Sequence, residues 1–143
     1  NPGDLEARTR NQQATWLAGC GLGRISHGAS HGIGYILGAM CGVPHGHTSC
    51  VMLPAVLRWN ETVNSARQRE VGDALGAEGG NTADFLRGWL QDLELPVSLR
   101  DVGVKAEQLP AIAAAAAQHR VVKANPRTIS GADDVMQILQ LAW

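Results

Sequence analysis

The side chains with most capacity for chemistry are concentrated in residues 26–60, which read SHGASHGIGYILGAMCGVPHGHTSCVMLPAVLRWN. Four of the five histidines fall here: His27, His31, His45 and His47. Imidazole is a good ligand for divalent zinc, iron, copper or nickel. His27 and His31 are four residues apart, a spacing that puts two side chains on one helix face, a turn apart. Pro44 breaks that helix, so His45 and His47 are expected in the following loop, where a chain folding back brings them toward the same face. A catalytic divalent centre takes three or four protein ligands, often including a carboxylate. Residues 24–58 contain no Asp or Glu, so the histidines make half of a metal site. The same spacing fits four histidines hydrogen-bonded within a tightly packed helical pair equally well.

The neighbouring glycines have a structural reading. Gly21-Leu22-Gly23 is out of register for GxGxxG, and no strand precedes it, so a dinucleotide-binding turn is not indicated. Gly28, Gly32, Gly34 and Gly38 instead mark helix faces that another backbone approaches closely. Cys41 and Cys50 lack basic neighbours other than histidine and read as buried thiols.

The elements that must position these residues are helical. Acids early and glycines late bound a first helix over residues 4–18. Ser26 is the expected cap of a second over 26–41, with Ile33, Ile36, Leu37 and Met40 as its apolar face. Residues 48–59 are strongly apolar, and Pro54 is expected to end or kink a helix there. Residues 61–75 form an amphipathic helix closing at Gly76, and residues 83–95 another, with a single turn over 98–102. Pro110 opens an alanine-rich helix to Gln118, and Ser130 is the expected cap of a last helix with Asp133 and Asp134 in its first turn. Val121-Val122 and Pro96-Val97 look strand-like but are too short for a sheet. The expectation is one all-α domain over 1–143, with six to eight helices and the 26–41 helix at its centre.

Composition agrees and excludes several classes. The 143 residues are 45% hydrophobic and 17% charged, enough apolar content for one buried core. Twelve basic and thirteen acidic residues leave a net charge of -1, which argues against non-specific nucleic-acid binding. No apolar run reaches the roughly 18 residues of a membrane span. Three cysteines without CxxC spacing suit a reducing cytoplasmic setting better than a disulfide framework.

The stretch SHGIGYILGAMCGVPHG, followed by LPAVLRWN, resembles the signature of the iron-dependent (group III) alcohol dehydrogenases, especially their maleylacetate-reductase-like branch. DLEAR near the start and KANPR near the end extend the resemblance over nearly the whole chain. Its specific parts are two histidines fourteen residues apart, HG at the first, PHG at the second, and LPxVxxxN beyond. The family joins a nucleotide-binding α/β domain to a C-terminal helical domain and uses NAD(P), often with divalent iron or zinc, on alcohols and carbonyl compounds. The resemblance implies that His31 and His45 are metal ligands. It gives His27 and His47 no ligand position, and they are kept as substrate-side neighbours. Where the family often has a further histidine, four residues after the first ligand, this chain has Tyr35, the candidate catalytic group. A phenol, with an ordinary pKa of about 10, donates a hydrogen bond but shuttles protons poorly near neutrality.

The family's remaining ligands and its nucleotide domain would precede Asn1. The resemblance therefore implies the C-terminal metal- and substrate-binding domain of an NAD(P)-dependent alcohol dehydrogenase or maleylacetate-type reductase, inactive alone and without tightly bound metal. The alternative is an independently encoded, non-catalytic helical module. Without its partner surfaces, residues 33–40 and 51–57 are expected to be exposed, and a homodimer is expected to cover them. In the competing arrangement the first helix folds over that gap.

Overall fold

The computed structural model describes residues 1–143 as seven α-helices with no strand: α1 (Leu5–Gly19), α2 (Ala29–Cys41), α3 (His45–Leu75), α4 (Thr82–Asp92), α5 (Leu109–Gln118), α6 (Arg120–Lys123) and α7 (Ala132–Leu141). A single 3-10 turn, Ala106–Gln108, leads into α5. The all-α expectation holds.

α2 is the central element, packing on α3, α5 and α6. Its Ala29, Ile33 and Leu37 are fully buried, and burial of each large aliphatic side chain stabilises the fold by about 1.5–3 kcal/mol. The glycines on its other faces admit neighbours. A Cβ at Gly32 would lie 2.5 Å from Val122 Cγ2 and 2.8 Å from the Val122 backbone nitrogen, and one at Gly34 would lie 2.8 Å from Thr48 Oγ1. These contacts bring α6 and the first turn of α3 against α2.

Several boundaries differ from the sequence expectations, each for a local reason. α2 begins at Ala29, not at residue 26. Ser26 does not cap it; Gly28 holds the cap position, and the Ala29 N–H donates to Asn125 Oδ1 at 3.4 Å. Gly42, at φ 67°, closes α2 by donating to the Gly38 carbonyl. Pro44 then caps α3, so His45 and His47 lie in its first turn and not in a loop. Pro54 neither ends nor breaks α3. The non-helical residue is Asn64 (φ -140°, ψ 27°), where Gln68 Nε2 bridges the break by donating to the Leu57 carbonyl at 2.8 Å and Asn64 Oδ1 at 2.7 Å. Val121 and Val122 belong to the short helix α6. Ser130 does not cap α7; its own N–H donates to Asp134 Oδ2 at 2.7 Å.

The core is one cluster of 22 buried residues drawn from α2, α3, α5, α6 and α7, together with Val43, Leu99, Val104, Ile129 and Ala142. It includes Ile33, Leu37, Val51, Met52, Ala55 and Val56, so, against expectation, residues 33–40 and 51–57 are mostly covered, and only Tyr35, Met40 and Leu53 among their large apolar side chains are exposed. The two stretches are covered because α2 and the first half of α3 pack on each other, and α5 packs on α2 and α7 on α3. The most exposed apolar side chains lie elsewhere. No residue of α1 is buried and no other element packs on it, leaving Leu5, Trp16 and Leu17 exposed, with Leu22 and Ile25 beyond. α1 does not fold over the rest.

Two tethers join the segment after α6 to α3, and Asn125 of the first also accepts from the Ala29 N–H at the start of α2. The side chains of Asn60 and Asn125 exchange hydrogen bonds, Asn60 Nδ2 donating to Asn125 Oδ1 at 3.1 Å and Asn125 Nδ2 to Asn60 Oδ1 at 2.6 Å. Arg127 donates to the Trp59 carbonyl at 2.9 Å and lies over the Trp59 ring at 3.5 Å. The segments LPAVLRWN and KANPR, far apart in sequence, therefore meet here.

Candidate functional site

A cluster of five rings forms where the start of α2, the start of α3 and the α5–α6 junction converge. His31 is its hub. Its ring centroid lies 4.5 Å from His27, 4.9 Å from Tyr35 and 5.3 Å from His45, each nearly edge-on. Tyr35 stacks parallel to His45 at 6.2 Å and meets His119 at 5.6 Å.

Each ring is placed by local structure. His31 and Tyr35 are one turn apart on α2, as their spacing requires. His45 reaches them because Gly34 lets Thr48, three residues further along α3, press against α2. Thr48 is buried and its hydroxyl donates to the His45 carbonyl at 2.7 Å, fixing that first turn. His27 precedes α2, so it meets His31 through the chain entering the helix and not as a partner on a helical face. His47 does not join the cluster. Two residues on a helix turn a side chain by about 200°, and His47 lines a separate cleft with Glu94, Leu95, Pro96 and Asp101.

His119 is the member that sequence reasoning missed. It caps α6, its Nδ1 accepting from the Val121 N–H at 3.3 Å, so in the neutral ring the proton sits on Nε2. The sequence offered no periodic cue. His119 stands alone after an alanine run, and only the packing of α6 on α2 carries it to Tyr35.

Burial, then the neighbouring His27 and His45, hold the His31 pKa below its ordinary value. The His31 imidazole is consequently neutral near pH 7, the form in which it can donate a lone pair to a divalent ion. Two neighbouring imidazoles fit a metal as part of its coordination shell. No set of three or more His, Cys, Asp or Glu side chains is arranged to hold one in these residues. His31 and His45 alone could therefore supply only part of such a shell.

Two clefts flank the cluster. One, of about 340 Å³, is lined by Ile25, Ser26, His27, Tyr35, Arg120, Val121 and Ala124. The other, of about 390 Å³, runs along His27 and His31 toward Leu53, Val56 and Asn60 and is mostly apolar. A small organic molecule in either would lie beside the rings. No helix is long and apolar enough to cross a membrane.

Comparison with known proteins gives consistent results. Residues 1–143 match the C-terminal part of the Fe-containing alcohol dehydrogenase family. The chain is 30% identical over 150 residues to a lactaldehyde reductase of Escherichia coli K12, covering 99% of this chain and 39% of that protein. It is 32% identical over 143 residues to a maleylacetate reductase of Pseudomonas knackmussii, covering 100% of this chain and 39% of that protein. Among solved structures, an alcohol dehydrogenase from Oenococcus oeni superposes with a TM-score of 0.87 at 26% identity, covering the whole chain and 39% of that structure. The chain therefore spans about two-fifths of the length of the relatives it matches.

Proposed function

This chain belongs to the Fe-containing alcohol dehydrogenase family, as its C-terminal part, and on that premise we propose that it supplies the metal- and substrate-binding half of an NAD(P)-dependent oxidoreductase interconverting an alcohol and its carbonyl compound. The observation that carries this reading is the convergence of His31, His45 and Tyr35 beside two clefts of substrate size. His31 and His45 hold the divalent ion. Tyr35 donates a hydrogen bond on the substrate side, and His27 and His119 close the ring cluster around it. Bound iron or zinc would polarise the carbonyl oxygen, and the nicotinamide would supply the hydride. In a metal-independent, maleylacetate-type variant, His31 and His45 would position the substrate oxygen directly by hydrogen bonding. The three free cysteines accord with a cytoplasmic setting.

By themselves the 143 residues are all helix and contain no strand–turn–helix unit to hold a pyrophosphate. The isolated polypeptide should therefore show no NAD(P)-linked turnover, because it lacks a unit to hold the hydride donor near the carbonyl. A second reading, a non-catalytic helical module, is supported by the self-contained hydrophobic cluster. The coding DNA upstream of Asn1 separates the two: an in-frame glycine-rich βαβ pattern supports the first reading, and a start codon the second.

The direct test is NAD(P)H oxidation with aldehyde substrates by a polypeptide of the relatives' length that ends in these residues. It should turn over, and His31→Ala or His45→Ala should each lower kcat/KM by about 10²-fold or more. Full activity in either variant would refute the site, and saturable NADH oxidation by the 143-residue chain would refute its inactivity.

A further inference from the structure

Charge is segregated along this chain. Residues 24–60 and 108–132, which build the ring cluster and its clefts, carry five cations (Arg24, Arg58, Arg120, Lys123 and Arg127), all five histidines and no carboxylate. All thirteen carboxylates lie outside those two segments. The 340 Å³ cleft beside the rings is lined by Arg120 and no carboxylate, so an anion is favoured there and a cationic ligand disfavoured.

Two of the four arginines there, Arg58 and Arg127, are engaged, whereas Arg24 and Arg120 form no ion pair. Arg58 pairs with Asp84 and Glu61, and Arg127 is held by the Trp59 carbonyl and ring. Arg120 takes part in none of the four ion pairs, yet it lines the 340 Å³ cleft together with His27 and Tyr35. A guanidinium presents a planar fork of donors that matches a carboxylate in bidentate fashion and stays charged at any working pH.

We propose that Arg120 determines substrate specificity by anchoring an oxyanion, a carboxylate in the first instance, carried by the carbonyl compound whose reacting end lies at the ring cluster. The substrate class is then an oxo-acid or hydroxy-acid and not a neutral aldehyde or alcohol. This rests on the reading that the cluster is the reaction site. The shared cleft with Tyr35 and His27 favours a substrate carboxylate over a cofactor phosphate, because the anchored group sits beside the group assigned to the substrate.

The test uses the 143-residue chain at pH 7.5 and follows Tyr35 and histidine-ring NMR signals. Succinate should shift Tyr35, His27 and His119, and the shifts should weaken as salt rises. Succinamide, its neutral analogue, should shift none of them at equal concentration. Arg120→Gln should weaken succinate binding at least ten-fold, and Arg120→Lys should fall between the two. Arg120 is exposed, so these variants should keep the wild-type circular dichroism spectrum. Equal binding of succinate and succinamide, or unchanged succinate binding in Arg120→Gln, would overturn the proposal. Pyrophosphate binding more tightly than succinate through Arg120 would also overturn it, reassigning the cleft to cofactor phosphates. Zinc titration of His31 and His45 in the same samples is independent of Arg120. Loss of the zinc response with succinate binding intact would count against the metal reading alone.

Discussion

Asn60 and Asn125 give the LPxVxxxN and KANPR segments a physical connection that neither shows in sequence. Their side chains pair with each other, and Asn125 Oδ1 also receives the first N–H of α2, two residues before His31. Asn125→Ala should leave Asn60 and the Ala29 N–H without partners and cost roughly 2–3 kcal/mol in urea unfolding, since an orphaned buried polar group costs about 1–3 kcal/mol. Asn60→Ala added to it should cost little more, because the two act as one unit; fully additive losses would contradict the pairing. Cysteine reactivity gives a second expectation. Burial raises the Cys41 pKa, so Cys41 remains a protonated, unreactive thiol to higher pH than an ordinary cysteine, whereas Cys20 is exposed. Iodoacetamide should label Cys20 first, with Cys41 labelling speeding up only as pH rises above about 8.5. Faster labelling of Cys41 at pH 7 would contradict this. Among the site residues, the sequence made His27, His31 and His45 legible because they crowd into nineteen positions, and Tyr35 through the family resemblance, although the same crowding also pointed to His47, which lies apart. His119 was not legible, as its contact with Tyr35 spans most of the chain and arises only from packing.

Helix existence could be read from apolar periodicity, and so could some ends, such as the closure of α3 at Gly76, but other ends could not where tertiary or local partners decide them. Ser26 and Ser130 are good capping residues by type, yet Gly28 and Gly131 hold the cap positions; Asn125 accepts the first N–H of α2, and Ser130 instead donates its N–H to Asp134 within α7. Pro54 is a helix breaker by type, yet α3 runs through it and breaks at Asn64, where Gln68 donates to the Leu57 carbonyl and to Asn64 Oδ1 across the break. The glycine reading succeeded because close approach is a steric property that the residue type itself encodes. It separates two superficially similar substitutions. Gly32→Ala would drive a methyl into Val122 and should destabilise by about 1–3 kcal/mol. Gly88→Ala, within α4 with nothing within 4 Å, should stabilise by about 0.5–1 kcal/mol through helix propensity. Thermal melts of the two variants that shift in the same direction would contradict this account of α2.

At the scale of the whole molecule, the all-α class and the central place of α2 followed from composition and periodicity, but the exposed face did not. The stretches that look most apolar in sequence make most of the core, and the most exposed large apolar side chains belong to the weakly patterned α1 and the segment after it. Trp16 and Leu17 are 69% and 66% exposed. Contiguous exposed apolar surface marks an interface, and a symmetric dimer is the commonest way to cover it. Light scattering at micromolar concentration should give about twice 15.1 kDa, falling to that value when Trp16→Ser and Leu17→Ser are combined. A wild-type mass of 15.1 kDa would reject the dimer. The central claim is that His31 and His45 form a two-ligand half of a metal centre, and zinc titration of the isolated chain followed by histidine-ring NMR tests it most directly. The account predicts that His31 and His45 respond together, saturate at one ion per chain, release it on dialysis against chelator, and lose the response in His31→Ala, while His47 stays unchanged. Zinc retained through that dialysis, a response centred on His47, or binding undiminished in His31→Ala would contradict it.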